Sequence, residues 1–378
     1  MSQTIDQYFL EKASNLTFIE LKKDYSVEGK FVISANTPIP LVIDDLVEGI
    51  KDKSMLEKIG LIKMIDGMLY TIGVDSKNPY SEIYKDWLYS YDSNIENYTW
   101  SKGIKMVENG QSDDGMIYLR AATELVPAKP NLIYTLAFSY EEEAKKYLKN
   151  KEIEIANMFV VEATRLYEEI VNIDEQFSLA YYKLGFHYYQ NKLFIKAQLM
   201  WQKYVMLSTN EDLKEEIEVN LRNIQEEVNY EIGYTSILSG KVEEGLEYLL
   251  PLEDKHNDWW NLHFMIGLGY RQLGVFQKAI EKFERVLMLK PHQIDAINEL
   301  GLCYASLGQN MHAIEQFDRI LQTETENAEV LCNRGAAYLQ MNEYRRARAD
   351  FEQANEINPE DQIAIACLKE LERIMTQS

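Results

Sequence analysis

The chain has 378 residues, 46% of them hydrophobic, with 61 acidic against 39 basic side chains and a formal charge of −22. A repulsive field of this sign argues against nucleic acid and anionic membrane as main partners, and it permits a basic or neutral peptide. No apolar run approaches the roughly 20 residues of a membrane span, and Cys303, Cys332 and Cys367 are too sparse for a disulfide framework.

The opening MSQTIDQYFLEKAS lacks the basic and apolar stretches of a signal peptide, so a cytoplasmic location is expected. Thr4 to Ala13 is a short helix candidate. Tyr25–Val27 and Lys30–Ser34, with Gly29 at the turn, suit a small β-hairpin. Asn36–Thr37–Pro38–Ile39–Pro40 breaks regular structure and is expected to lead into a helix from Leu41 to Lys51. Helices near Met55 to Ile72 and Pro79 to Tyr91 follow, either a degenerate repeat or part of a cap over residues 1–95.

From Glu96 a register of small residues sets in: Gly103, Gly110, Gly115 and Ala122, closed by Pro127. Pro130 opens a unit of 48 residues whose second helix, with Ala163, Tyr167 and Ile170, arrives late. About two extra turns in each helix would keep the buried faces in phase, with Lys149–Asn150–Lys151 as the tip. The unit from Ser178 carries Leu184, Gly185, Tyr188, Ala197, Trp201 and Tyr204 in register. Ile217, Leu221, Ile224, Val228 and Ile232 then make one stripe, which predicts a single helix of about 27 residues from Asp212 to Gly240. Gly233, Gly240 and Gly245 restore the register.

The last units are the most regular. Trp260, Ile294 and Ala328 begin helical hairpins at steps of 34 residues. Gly267, Gly301 and Gly335 fall in register, as do Tyr270, Tyr304 and Tyr338, then Ala279, Ala313 and Ala347, then Phe283, Phe317 and Phe351. Gln362 to Met375 is an amphipathic helix fit to cap the end. This pattern resembles the tetratricopeptide repeat, a helix–turn–helix of 34 residues with small residues at its eighth and twentieth positions. The resemblance covers seven recognisable units in residues 96–361, two of them enlarged by 14 residues, with residues 362–378 as the terminal helix. It implies an all-α superhelical solenoid with an irregular N-terminal region.

In that family the first helices of successive units line a concave groove. Carried over by position, the groove residues here are Trp100, Ile104, Tyr134, Phe138, Tyr182, Phe186, Tyr189, Tyr230, Tyr234, Phe264 and Leu268. Aromatic anchors of this kind suit a peptide or a helical segment, although the strip could instead be filled by the long helices or the N-terminal region. The two-carboxylate clamp of some relatives is missing, since Phe264, Leu268, Glu299, Glu329 and Asn333 occupy its places.

Catalytic patterns are not found. The histidines His187, His256, His263, His292 and His312 form no paired metal motif, His263 stands where the repeat carries a packing residue, and no glycine-rich loop precedes a lysine. The carboxylates of Glu141–Glu142–Glu143 and Glu226–Glu227 are expected on solvated faces. The reading is therefore a non-catalytic interaction module without cofactor or metal. A regulatory peptide receptor is the alternative, and an enzyme accessory subunit a remote one.

Overall fold

The structure is a computed structural model that describes residues 4–27, 31–43 and 60–377. The chain divides into two compact units, Met1–Val219 and Asn220–Ser378. Helices dominate both, as the repeat pattern requires.

The first unit opens with α1 (Ile5–Leu10), begun by a reciprocal cap. Thr4 Oγ1 accepts from the Gln7 N–H at 3.3 Å, and Gln7 Oε1 accepts from the Thr4 N–H at 3.0 Å. A 3₁₀ turn over Glu11–Asn15 follows, where one helix to Ala13 was expected. The strands are β1 (Leu16–Ile19), β2 (Tyr25–Val27), β3 (Phe31–Ile33) and β4 (Ile39–Val42). β2 pairs with β3 as the expected hairpin, its Gly29 turn lying outside the described residues.

The expected helix from Leu41 is corrected: Leu41 and Val42 complete β4, which pairs antiparallel with β1. The rest of that helix, and the start of the one near Met55, fall outside the described residues. Ile39, Pro40 and Leu41 are buried, and α2 (Leu61–Val74) covers them. Its Gly67 permits the approach, since a Cβ there would lie 1.9 Å from the Pro40 carbonyl oxygen. Long-range pairing and this close cover set β4, and neither leaves a local pattern.

After α3 (Ser81–Tyr91) come α4 (Ile95–Glu108) with α5 (Ser112–Leu125), α6 (Pro130–Lys149) with α7 (Ile153–Ile173), α8 (Ser178–Gln190) with α9 (Phe194–Leu207), and α10 (Glu211–Asn223). α2 lies against α5, with the Gly73 Cα beside the Ile117 carbonyl. α6 and α7 have 20 and 21 residues against 13 and 14 in α8 and α9, the two extra turns apiece that the spacing predicts. Their tip is Lys149–Asn150–Lys151, with Lys151 at φ 65°.

The added turns hold the N-terminal helix. Phe9, fully buried, packs on Tyr140 and Phe159. Tyr8 donates to Asp113 at 2.7 Å and meets the Tyr147 hydroxyl at 2.9 Å, while Lys12 pairs with Asp113. Arg120 stacks over the Phe9 ring, donates to Asp6, and caps the Gly73 carbonyl.

The second unit contains α11 (Gln225–Leu238) with α12 (Val242–Glu253), α13 (Trp260–Gln272) with α14 (Phe276–Leu289), α15 (Ile294–Ser306) with α16 (Asn310–Leu321), α17 (Ala328–Gln340) with α18 (Tyr344–Ile357), and α19 (Gln362–Gln377). Gly267, Gly301 and Gly335 each face the ring edge of a buried phenylalanine: Phe283, Phe317 and Phe351. A Cβ on any of the three would come within 2.8 Å of that ring, so the small–large register is a steric fit. α19 buries Ala364 and Leu371 and packs on Phe351, as a terminal cap should.

The single helix expected from Asp212 to Gly240 is also corrected. α10 ends at Asn223 and α11 begins at Gln225. Ile224 between them has φ −91° and ψ 3°. Its N–H still bonds to the Asn220 carbonyl, and its carbonyl accepts from Val228. The apolar stripe survives the break because the hydrogen-bond ladder does, so periodicity could not reveal it.

Candidate functional site

The repeat pattern brings the first helices of successive pairs side by side, and in the first unit side-chain contacts link them to one another and to α10. Trp100 Nε1 on α4 donates to Thr135 Oγ1 on α6 at 3.1 Å. Lys183 on α8 lies 4.7 Å over the Phe138 ring of α6. Tyr182 on α8 donates to Glu216 on α10, 3.3 Å from each carboxylate oxygen.

On this face stand Trp100, Ile104, Tyr134, Phe138, Tyr182, Phe186 and Tyr189. None is buried; Phe138 is 41% and Tyr189 43% exposed. Beneath them is a solid aromatic floor. Tyr134 rests on Tyr167 and Phe177, Tyr182 on Tyr204, and Phe186 and Tyr189 both on Trp201, with centroids 5.0 to 5.9 Å apart. Trp201 can lie flat because Gly185 is bare: a Cβ there would stand 2.1 Å from the indole. Burial and the nearby Glu216 push the Tyr182 hydroxyl up to about 12.

Glu141 departs from expectation. Its carboxylate is drawn inward, where it accepts from Lys183 at 2.6 Å and Tyr167 at 2.9 Å and meets His187 Nε2 at 2.7 Å. His187 is itself buried, and its Nδ1 meets Thr164 Oγ1 at 2.6 Å. Burial alone would raise the Glu141 pKa, but the bonds from His187 and Lys183 outweigh it and hold the carboxyl at about 2. The Glu141–Glu142–Glu143 run disguised this residue, because its partners lie about 40 residues away in sequence. Glu226 pairs with Lys255 and His256.

In the second unit Tyr230 and Tyr234 pack together at 5.5 Å, with Trp259 5.6 Å from Tyr230. Phe264 lies 5.7 Å from the buried Phe283, with Leu268 beside it. All four candidates of this unit are half-buried. At the places of the absent carboxylate clamp, Glu299 is paired with Arg271, and Glu329 accepts from Asn298 at 3.1 Å. His263 is buried against Glu253 and the Asn257 carbonyl, a packing position. The three thiols are free; burial pushes Cys303 up to about 12 and Cys332 up to about 11, away from the thiolate form. Among the described residues no helix is long and apolar enough to cross a membrane.

Helix pairs with small residues at the crossing, stacked in sequence order, define a helical-repeat protein. The family model described as tetratricopeptide repeat matches residues 328–361, the hairpin of α17 and α18. Residues 328–361 therefore form a tetratricopeptide repeat. None of the curated proteins matches it significantly. Among solved structures it is similar to YrrB, described as a TPR protein with an unusual peptide-binding site, at 17% identity over 66% of this chain and 97% of that one, with a TM-score of 0.29. It is similar to a tetratricopeptide repeat protein from Parabacteroides merdae at 14% identity, covering 73% and 98% of the two chains, with a TM-score of 0.35. The APC/C hetero-tetramer Cut9–Hcn1 matches at 17% identity over 82% and 62%, with a TM-score of 0.40. Likeness at this level is one of fold.

Proposed function

We propose that the chain is a non-catalytic protein-interaction module that holds an extended or helical peptide segment against the aromatic face of its first unit. The observation that carries this reading is the partial exposure of every ring on that face, above a floor that includes the fully buried Tyr167, Trp201 and Tyr204. Rings held this way offer large contact area at low entropy cost. The N-terminal helix supports an open face, because it seats on Tyr140, Tyr147, Phe159 and Arg120, none of which belongs to the strip. Tyr230, Tyr234, Phe264 and Leu268 are assigned the same role in the second unit.

The test is selection of phage-displayed random peptides on the immobilised full chain, followed by affinity measurement on variants. A selected peptide should bind Tyr182→Ala with Phe186→Ala at least about tenfold more weakly, the cost of losing anchors worth 1.4 kcal/mol or more. Peptide binding indifferent to that pair, and to Tyr230→Ala with Phe264→Ala, would contradict the proposal.

A further inference from the structure

The aromatic face of the first unit already holds one cation. Lys183 Nζ lies 4.7 Å over the Phe138 ring and 2.6 Å from the Glu141 carboxylate, so a ring and an acid from one helix grip an ammonium from the next. One helix further on, rings and a carboxylate again come together, here from two neighbouring helices. Tyr182 and Phe186, their rings 5.0 Å apart, lie beside Glu216, which accepts only the Tyr182 hydroxyl among the described residues. No basic side chain of the described residues pairs with Glu216, nor with Asp212, Glu215 or Glu218 on the same helix, whereas Glu211 has Lys214. Ring and carboxylate are repeated, and the cation is not.

We infer that this second seat takes a lysine or arginine side chain from the bound segment, so that the partner is a basic peptide whose apolar residues lie against Phe186 and Tyr189. The inference rests on the interaction role proposed above and narrows it to one chemistry. Charge complementarity favours it: the ring face attracts a cation, and the carboxylate is already oriented by a neutral donor that a basic group need not displace. An acidic segment would meet Glu216, with Asp212, Glu215 and Glu218 on the same helix adding to the like-charge cost.

The probes are peptides selected on the full chain, and synthetic versions of them with each lysine or arginine replaced by glutamine or glutamate. The selected peptides should carry a basic residue near a large apolar one, and binding should weaken as salt rises. Glu216→Gln keeps an acceptor for Tyr182 while removing the charge, and it should weaken a basic peptide roughly three- to tenfold. Glu352→Gln, an exposed acid of the second unit, should change nothing. The inference is overturned if acidic peptides are selected, if Glu216→Gln leaves binding unchanged, or if Glu352→Gln weakens it as much, since general acidity would then explain the preference. Binding that survives Glu216→Gln but is lost with Tyr182→Ala and Phe186→Ala would sink this inference alone. Binding that also ignores that double substitution would sink the interaction role with it.

Discussion

Glu141 joins the polar interior of the first unit to its exposed face, and its environment has a measurable consequence. The folded carboxyl titrates at about 2 against 4.5 for the ordinary group. A depressed pKa contributes stability that is complete above the unfolded value and is lost as pH falls through the folded one. The loss should therefore run from about pH 4.5 down to about pH 2, and the shift corresponds to about 3 kcal/mol. Glu141→Gln should cost roughly that amount at neutral pH, leaving Lys183 without its counter-charge, and should flatten the acid limb of stability in that window. Chemical unfolding followed across pH checks both; an unchanged acid limb would show that the bonds to Glu141 do not govern it. Gly185 is a second single-residue test. Alanine there would drive Trp201 off its seat, an overpacking cost of about 1–3 kcal/mol. Gly185 was legible in the sequence because the repeat register marks it. Glu141 was not, because an acid in a charged run looks solvated until its distant partners are placed.

At the scale of elements, the enlarged hairpin of α6 and α7 is the seat of α1. Its extra turns could be counted from the spacing, but what they hold could not, since Phe9 meets Phe159 only through the tertiary fold. Phe9→Ala should cost about 3–5 kcal/mol, as for a fully buried aromatic, and should expose the N-terminal segment to protease before the helical pairs melt. Cleavage no faster than in the parent chain would contradict that role. The turns between paired helices give a test of the opposite sign. Gly110, Gly240, Gly274 and Gly308 take positive φ there, and so do Lys151, Lys192 and Asn342. A left-handed conformation costs an L-residue about 1–2 kcal/mol, partly returned by the stiffer unfolded chain. Lys192→Gly should therefore be stabilising by up to about 1 kcal/mol, read as a rise in melting temperature. The strand at Ile39–Val42 escaped the sequence because it is set by packing and long-range pairing, and the break at Ile224 because the apolar stripe and the hydrogen-bond ladder run through it.

For the whole molecule, the two units each present half-buried or exposed aromatics on the first helices of their pairs, in a chain of net charge −22. The repeated Gly–Tyr–Ala–Phe positions made the helical architecture readable in advance, since a fixed step of small and large residues admits few packings. The candidate strip is assigned from position within each unit. That its rings stand on a second layer of buried rings was not, because Tyr204 and Trp201 look like any core residues in sequence. This layering defines the central claim, that the face is a binding surface and not core. The direct measurement is to compare Phe138→Ala with Tyr189→Ala, made together, against Trp201→Ala, following thermal unfolding and selected-peptide affinity in the same samples. The exposed pair should lower the melting temperature far less than Trp201→Ala, whose truncation costs about 3–5 kcal/mol, while weakening peptide binding by about tenfold or more. A pair as destabilised as Trp201→Ala, or a stable pair that binds peptide as the parent does, would contradict the claim.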